Sequence, residues 1–288
     1  MSVALGAAVG LAPSVVAVVL AAAVLHAGWN AIAHGIDDQL VAFTLVGAGG
    51  TLCAIPLVLW SPAPRPASWP YLAALVAVHI AYTVLLMRSY RLGDFGQVYP
   101  LARGTSPLVV TVLATLFAAE APRTAQIAGV LAISAGLISL ALAGRRHAQR
   151  AAVAAAIATG LAIAAYTTID GLGVRLSGSP AGYVGWLILG EGPAIPLYAL
   201  ARRRRALFAQ LRPVWARGAV GGGMSLLAYG LILWAQTRGA IGPIAALRET
   251  SIIVGAGIGA VRFRERFGTR RVVATILVVG GILAISVG

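Results

Sequence analysis

Apolar runs of membrane length recur along the whole chain, and each ends at a cluster of turn-forming or charged residues. The runs at 12–34, 40–60, 70–88, 97–119, 124–143, 151–170, 181–201, 217–237, 243–262 and 271–287 read as ten spans. Their separators are Gly35-Ile36-Asp37-Asp38, Ser61-Pro62-Ala63-Pro64, Arg145-Arg146, Ser177-Gly178-Ser179-Pro180 and Arg202 to Arg205. A span needs about 20 apolar residues at 1.5 Å rise, so ten take about 200 residues and leave short loops. Trp60, Trp69, Tyr71 and Trp215 fall at predicted span ends, where interfacial anchors belong. The expected fold class is an all-α membrane protein of ten transmembrane helices.

The polar positions inside these runs repeat. At an offset of 140, Ala54-Ile55-Pro56-Leu57 becomes Ala194-Ile195-Pro196-Leu197, Gly50 becomes Gly190, and Asn30 becomes Asp170. The Arg-rich segment 202–217 lengthens the second half. Beyond it, Tyr82 and Arg91 match Tyr229 and Arg238 at an offset of 147. Arg103, Thr105, Ser106, Glu120 and Gly136 match Arg248, Thr250, Ser251, Glu265 and Gly281 at an offset of 145. Gly or Leu identities would mean little in so biased a sequence, whereas Arg and Glu in register within apolar surroundings point to duplication. Residues 1–144 and 145–288 then form two units of five spans each. Five is odd, so the second unit enters the membrane upside down, an arrangement that places a site near the midplane between the halves.

Composition agrees with a membrane location. Hydrophobic residues make up 59% of the 288 and charged residues 10%, with a mean hydropathy of +0.89; a soluble domain of this length needs more charge to cover its surface. The net charge of +14 does not imply nucleic-acid binding, because the charges cluster between apolar runs. All 22 basic residues are Arg. Cys53, the only cysteine, can form no intrachain disulfide and no Cys-based metal site. The N-terminal MSVALGAAVGLAPS lacks a positive segment, so the first run is expected to remain as a span.

The polar residues concentrate on six spans. Span 1 carries His26 and Asn30, span 3 His79 and Tyr82, and span 4 Tyr99, Arg103 and Ser106. Span 6 carries Tyr166 and Asp170, span 8 Ser225, Tyr229 and Gln236, and span 9 Arg248, Glu249 and Ser251. Apart from Glu249, each set shares one helical face. Spans 1, 3, 4, 6, 8 and 9 are therefore expected to line a polar cavity, with spans 2, 5, 7 and 10 as an outer frame in which Glu191 is the exception. A lone His or Tyr in a span is ordinarily an interhelical hydrogen-bonding partner; six such stripes together favour a binding site.

A charge at the bilayer centre costs about 2.5–3.5 kcal/mol even on insertion scales, which singles out Arg103, Glu191, Arg248 and Glu249. Two roles stand open for the arginines: symmetry-related groups that gate or anchor a substrate, or a structural lock. Glu191 suits either structural hydrogen bonding or proton coupling, and Glu249 and Asp170 are further candidates for gating or coupling. Glu120 and Glu265, beside Arg123 and Arg266, read as boundary ion pairs. Pro100, Pro107 and Pro243 sit where kinks form, and Gly255, Gly257 and Gly259 suit close helix approach. No His-Glu-x-x-His, Gly-x-Ser-x-Gly or Walker loop is present; no metal or cofactor is expected, and His34, Asp37 and Asp38 form only a weak cluster.

Several segments resemble the drug/metabolite transporter superfamily, EamA type. They are His26-Ala27-Gly28-Trp29-Asn30, Tyr99-Pro100-Leu101-Ala102-Arg103-Gly104-Thr105, Tyr166-Thr167-Thr168-Ile169-Asp170-Gly171 and Arg248-Glu249-Thr250-Ser251, together with Arg264-Glu265-Arg266-Phe267-Gly268. The resemblance covers nearly the whole chain. It implies two five-helix repeats around a central cavity and small-metabolite transport without ATP hydrolysis. Within that superfamily the chain looks most like bacterial amino-acid exporters, including the aromatic amino acid exporter group, and the inner membrane is the implied location. His79, Tyr82, Tyr99, Arg103, Tyr229, Arg248, His26, Asn30 and Tyr166 are the expected substrate contacts. A purine, sugar or toxic cation is the alternative cargo, and a membrane-embedded enzyme the alternative class. The expected partners are a small molecule and the lipid bilayer, with a single copy as the unit and no nucleic acid.

Arg bias sets the orientation. Loops after odd-numbered spans hold sixteen of the 22 Arg, whereas those after even-numbered spans hold Arg65, Arg123, Arg175 and Arg238. The odd loops are expected to be cytoplasmic and both termini periplasmic. A cysteine placed at Arg204 should stay unlabelled by a membrane-impermeant thiol reagent in intact cells and react once the membrane is opened; labelling of intact cells would overturn the orientation.

Overall fold

Local chemistry starts and stops each helix. The computed structural model describes residues 11–93, 95–142, 150–255 and 269–287. It contains α1 (Pro13–His34), α2 (Gln39–Trp60), α3 (Trp69–Leu92), α4 (Phe95–Phe117), α5 (Thr124–Leu142), α6 (Arg150–Ser177) and α7 (Pro180–Glu191). There follow α8 (Ala194–Arg203), α9 (Ala206–Leu211), α10 (Trp215–Gln236), α11 (Ile241–Arg248) and α12 (Thr269–Val287). Pro13 and Pro180 occupy the first turns of α1 and α7, where a missing N–H costs nothing. Asp38 caps α2 by accepting the Leu40 and Val41 amides at 3.0 and 3.2 Å. The Arg203 guanidinium, bidentate on the same carboxylate at 2.5 and 3.1 Å, holds Asp38 below the usual carboxylate range with help from those amides. That pair ties the α1–α2 turn to the end of α8.

Among the described residues, eight stretches are long and apolar enough to cross a membrane: Pro13–Ala33, Gln39–Trp60, Pro66–Leu92, Gln97–Phe117, Thr124–Ala141, Arg150–Ser177, Pro180–Arg203 and Ala206–Gln236. Val272–Val287 is a shorter apolar helix. Among the described residues every regular element is helical. The eight stretches correspond to the first eight expected spans and not to the ninth and tenth; further differences lie in continuity. The seventh span is two helices, α7 and α8, broken at Gly192-Pro193. The ninth is interrupted after Arg248 by a turn at Glu249-Thr250, resumes as helix over 251–255, and is described no further. The sixth runs on to Ser177, which places Asp170 two turns inside the helix instead of at its end.

The bundle differs from a water-soluble one in its apolar exterior and its buried charges. Leu52, Leu59, Leu116 and Ile276 are each more than 60% exposed, whereas Arg103, Asp170 and Glu249 are 4%, 2% and 2% exposed. An apolar outside over an interior that holds charged side chains suits hydrocarbon as the surrounding solvent. Several hydroxyls within the helices are satisfied on their own helix: Thr51, Thr105, Thr159 and Thr168 each donate to the carbonyl four residues back at 2.7–2.9 Å. Trp60 and Trp215 are exposed at helix ends, as anchors are.

α6 lies against α3 and α4, while α10 lies against α1 and α2; α5 packs on both α4 and α12. The α5–α12 seam is made by small residues. A Cβ on Gly129 would sit 2.6 Å from the Gly281 carbonyl oxygen, and one on Gly136 would sit 3.0 Å from that of Ala274. Close approach occurs here, whereas no described residue lies within 4 Å of a Cβ placed on Gly255; Gly257 and Gly259 lie outside the described residues. Overpacking a close seam costs about 1–3 kcal/mol. Gly129→Leu is therefore expected to lower the unfolding temperature in detergent, while Leu131→Ala, on the exposed face of the same helix, should change it little.

Candidate functional site

A buried ion pair joins spans far apart in sequence. Arg103 projects from the middle of α4, and its Nε lies 2.6 Å from Glu249 Oε2. Glu249 is the residue at which α11 ends, so its carboxylate sits at the negative end of a helix dipole. Only a strong cation makes that tolerable, and Arg103 provides it. The neighbouring Arg248 donates from Nη2 to the Tyr166 hydroxyl of α6 at 2.9 Å. Each guanidinium also lies near an aromatic face, Arg103 at 5.8 Å from the Tyr99 ring centre and Arg248 at 5.9 Å from that of Tyr166.

On the other side of Tyr166 the groups are acidic and aromatic. The Tyr166 ring centre lies 4.5 Å from that of His79 and 5.4 Å from that of Tyr82, both on α3. His79 Nδ1 meets Glu191 Oε2 at 2.8 Å. Glu191 ends α7 just before the break at Gly192-Pro193, a second carboxylate at a helix C-terminus with a partner from another helix. One turn along α6 from Tyr166, Asp170 accepts a short hydrogen bond from the Tyr229 hydroxyl of α10. Tyr166 thus stands between two guanidiniums with one carboxylate and an imidazole with two carboxylates.

Of the expected site residues, His79, Tyr82, Tyr99, Arg103, Tyr166, Asp170, Tyr229, Arg248 and Glu249 come together in this cluster. Glu191 joins them, so span 7 belongs to the site and is not merely frame. His26 and Asn30 turn inward on their own helix: Trp29 Nε1 donates to His26 Nδ1 at 3.3 Å, and the Asn30 amide donates to the His26 carbonyl at 2.7 Å. The charges of Arg103 and Arg248 nevertheless reach His26. Tyr82 and Tyr229 share one packed cluster without meeting ring to ring, since Tyr82 rests on Tyr166 and Tyr229 is held by Asp170.

Neither a family model nor a curated protein matches the sequence. The chain is similar to a solved crystal structure with a TM-score of 0.70 and 15% identity, over 95% of this chain and 96% of the other. At that identity the likeness speaks for the fold alone.

A third ionic group closes the end of the bundle that holds the loops after α2, α4, α6 and α10. Glu120 accepts from Arg175 at 2.7 Å and takes the Ile241 amide on its two carboxylate oxygens at 2.8 and 3.0 Å. Arg175 donates in addition to the carbonyls of Gln236 and Gly239 at 2.8 and 2.7 Å. Glu120 was expected to pair with Arg123; its partner is Arg175, because α6 runs two turns beyond the expected end and delivers that guanidinium to the loop. Glu265 and Arg266 lie outside the described residues. Tyr183 of α7, fully buried against Gly173, lies within electrostatic reach of Asp170. Sequence reasoning missed it, since a lone Tyr in an apolar run offers little to find. Among the described residues no three His, Cys, Asp or Glu side chains gather as a metal site requires.

Removing one partner of a buried ion pair typically costs about 3–5 kcal/mol, because the other charge stays behind uncompensated. Arg103→Gln should therefore destabilise the protein strongly, measured as thermal unfolding in detergent. Arg103→Met combined with Glu249→Leu should recover most of the loss. If the double variant is as unstable as the single, charge pairing is not what joins these spans.

Proposed function

We propose that the chain is a secondary transporter of the EamA type that exports amino acids and related small metabolites across a bacterial inner membrane. The observation that carries this reading is the convergence of buried polar side chains from spans 3, 4, 6, 7, 8 and 9 on one place inside an apolar exterior. Ionisable groups inside a membrane mark substrate or ion pathways, and broken spans at such a place are typical of transporter sites. Both breaks, at Gly192-Pro193 and at Glu249-Thr250, lie beside a carboxylate of the cluster.

Ten spans in two inverted repeats, 1–144 and 145–288, are part of the proposal. Packing between the halves supports it. Shifting residue numbers by 145 turns 129 into 274 and 136 into 281, so the Gly129–Gly281 and Gly136–Ala274 contacts of the α5–α12 seam exchange with one another. Likewise α3 against α6 has its counterpart in α10 against α1. Repeats related in this way allow one half to take the other's conformation, which swaps the open side of the membrane. The Glu120–Arg175 clasp is then the closed end of the pathway, and both termini are periplasmic.

Tyr hydroxyls and an imidazole hydrogen-bond varied polar ends, while their rings pack against varied side chains. Such a lining suits a broad range of neutral amino acids, and it supplies too few free cations for phosphorylated cargo. Expression should lower intracellular levels of several neutral amino acids and protect cells from toxic analogues. Tyr82→Ala and Tyr99→Ala should reduce that protection severalfold at unchanged amounts of protein in the membrane. Purified protein in liposomes that moves a purine or sugar but no amino acid would sink the substrate assignment while leaving the architecture in place.

A further inference from the structure

The buried polar atoms of the cluster that meet no protein hydrogen-bond partner are of two opposite kinds. Arg103 Nη2 and Arg248 Nε are donors, and Asp170 Oδ1 is an acceptor. All three side chains are deeply buried, their residues being 4%, 8% and 2% exposed. A buried polar atom left unpaired costs about 1–3 kcal/mol, so native interiors pair nearly all of them. Orphans of both signs in one cluster call for a ligand that carries both an acceptor and a donor.

Spacing restricts that ligand further. Arg248 is held on the Tyr166 hydroxyl, and Asp170 follows one turn later, about 6 Å along the axis of α6. Arg248 is among the charges that face Asp170. A guanidinium and a carboxylate that face each other within one helical turn suit a small molecule that carries its two opposite charges on substituents of a single carbon. Net charge restricts it too. The cluster already holds the carboxylates of Asp170, Glu191 and Glu249 against two guanidiniums and the His79 imidazole. An anion alone would leave Asp170 Oδ1 unmet, and a cation alone would strand the two guanidinium donors. A zwitterion answers all three atoms and brings no net charge into a medium where unpaired charge is costly.

We propose that Arg103 and Arg248 hold the carboxylate of an α-amino acid while Asp170 holds its ammonium, with Tyr166 fixing the distance between them. This rests on the transporter reading above and assigns the ends of its substrate. Tyr229 positions the carboxylate of Asp170 by occupying its other oxygen, and the ring of Tyr99 leaves an apolar wall for the variable side chain. Selectivity then falls on the backbone of the amino acid, and breadth on its side chain.

Competition on the wild-type protein in liposomes tests this. The labelled probe is the neutral amino acid moved fastest, and the competitors are its matched amine and its matched acid. For leucine these are 3-methylbutylamine and 4-methylpentanoate. Neither one-ended analogue should compete within tenfold of the unlabelled amino acid, and competition within tenfold by either overturns the assignment of the two ends. Asp170→Asn should lower amino-acid transport at least tenfold and shift relative preference toward the acid; Arg248→Gln should shift it toward the amine. Asp170→Glu, which keeps the charge, should retain more transport than Asp170→Asn, and an unchanged preference in both neutral variants counts against the proposal. Wild-type protein that transports another metabolite and no amino acid defeats the parent reading; amino-acid transport blocked by a one-ended analogue defeats only the pose.

Discussion

Charge inside a medium that cannot solvate it has to be answered by opposite charge, and the arrangement of this bundle follows from that constraint. Arg103 and Glu249 are almost wholly buried; apart, either would carry a desolvation penalty of several kcal/mol. Together they pin the middle of α4 to the end of α11. From there the chain of contacts runs on through Arg248 to Tyr166, to His79 and Glu191 on α3 and α7, and to Asp170 and Tyr229 on α6 and α10. α4 and α11, α3 and α7, and α6 and α10 are thereby tied to one another by polar groups. A buried ion pair is weak evidence of stability, but it is a strong determinant of which surfaces meet.

The two helix breaks belong to the same logic. A carboxylate at a helix C-terminus faces the dipole end that repels it, and α7 and α11 each end on one or beside one. Pairing with His79 and with Arg103 offsets that repulsion across the bundle. The ends of these half-helices also leave backbone carbonyls whose usual partners are lost at the turn, and these lie beside the titratable groups. Polarity of backbone and side chain is concentrated in one layer of the bundle, with unbroken apolar helix surface around it.

Much of this could be read from residue order. Apolar run length marks the first eight spans, most of them to within a few residues and the sixth two turns short, because hydrocarbon thickness leaves little choice, and i, i+3 and i, i+4 spacing picks out the faces that turn inward. Both breaks fall in runs expected to be continuous spans: Gly192-Pro193 holds two helix-breaking residues, whereas Glu249-Thr250 holds none. Pairing was not legible at all. Glu249 follows Arg248 in sequence yet meets Arg103, and Glu120 lies three residues from Arg123 yet meets Arg175. Sequence spacing constrains partners on one helix; between helices, partners are set by crossing positions that no local pattern encodes. His26 and Asn30 show the converse case, since their i, i+4 spacing led to bonds within α1 and not into the cluster.

Arg175 reaches the α10–α11 connection entirely through main-chain oxygens, at Gln236 and Gly239, and Glu120 reaches it through the Ile241 amide. A peptide group offers the same atoms whatever side chain it bears. The connection can therefore drift in composition over generations without loosening the closure, provided its length and path persist. Variation should be permitted at Thr237 and Arg238 and resisted at Glu120 and Arg175, where two side chains recognise a loop by its shape and not by its letters.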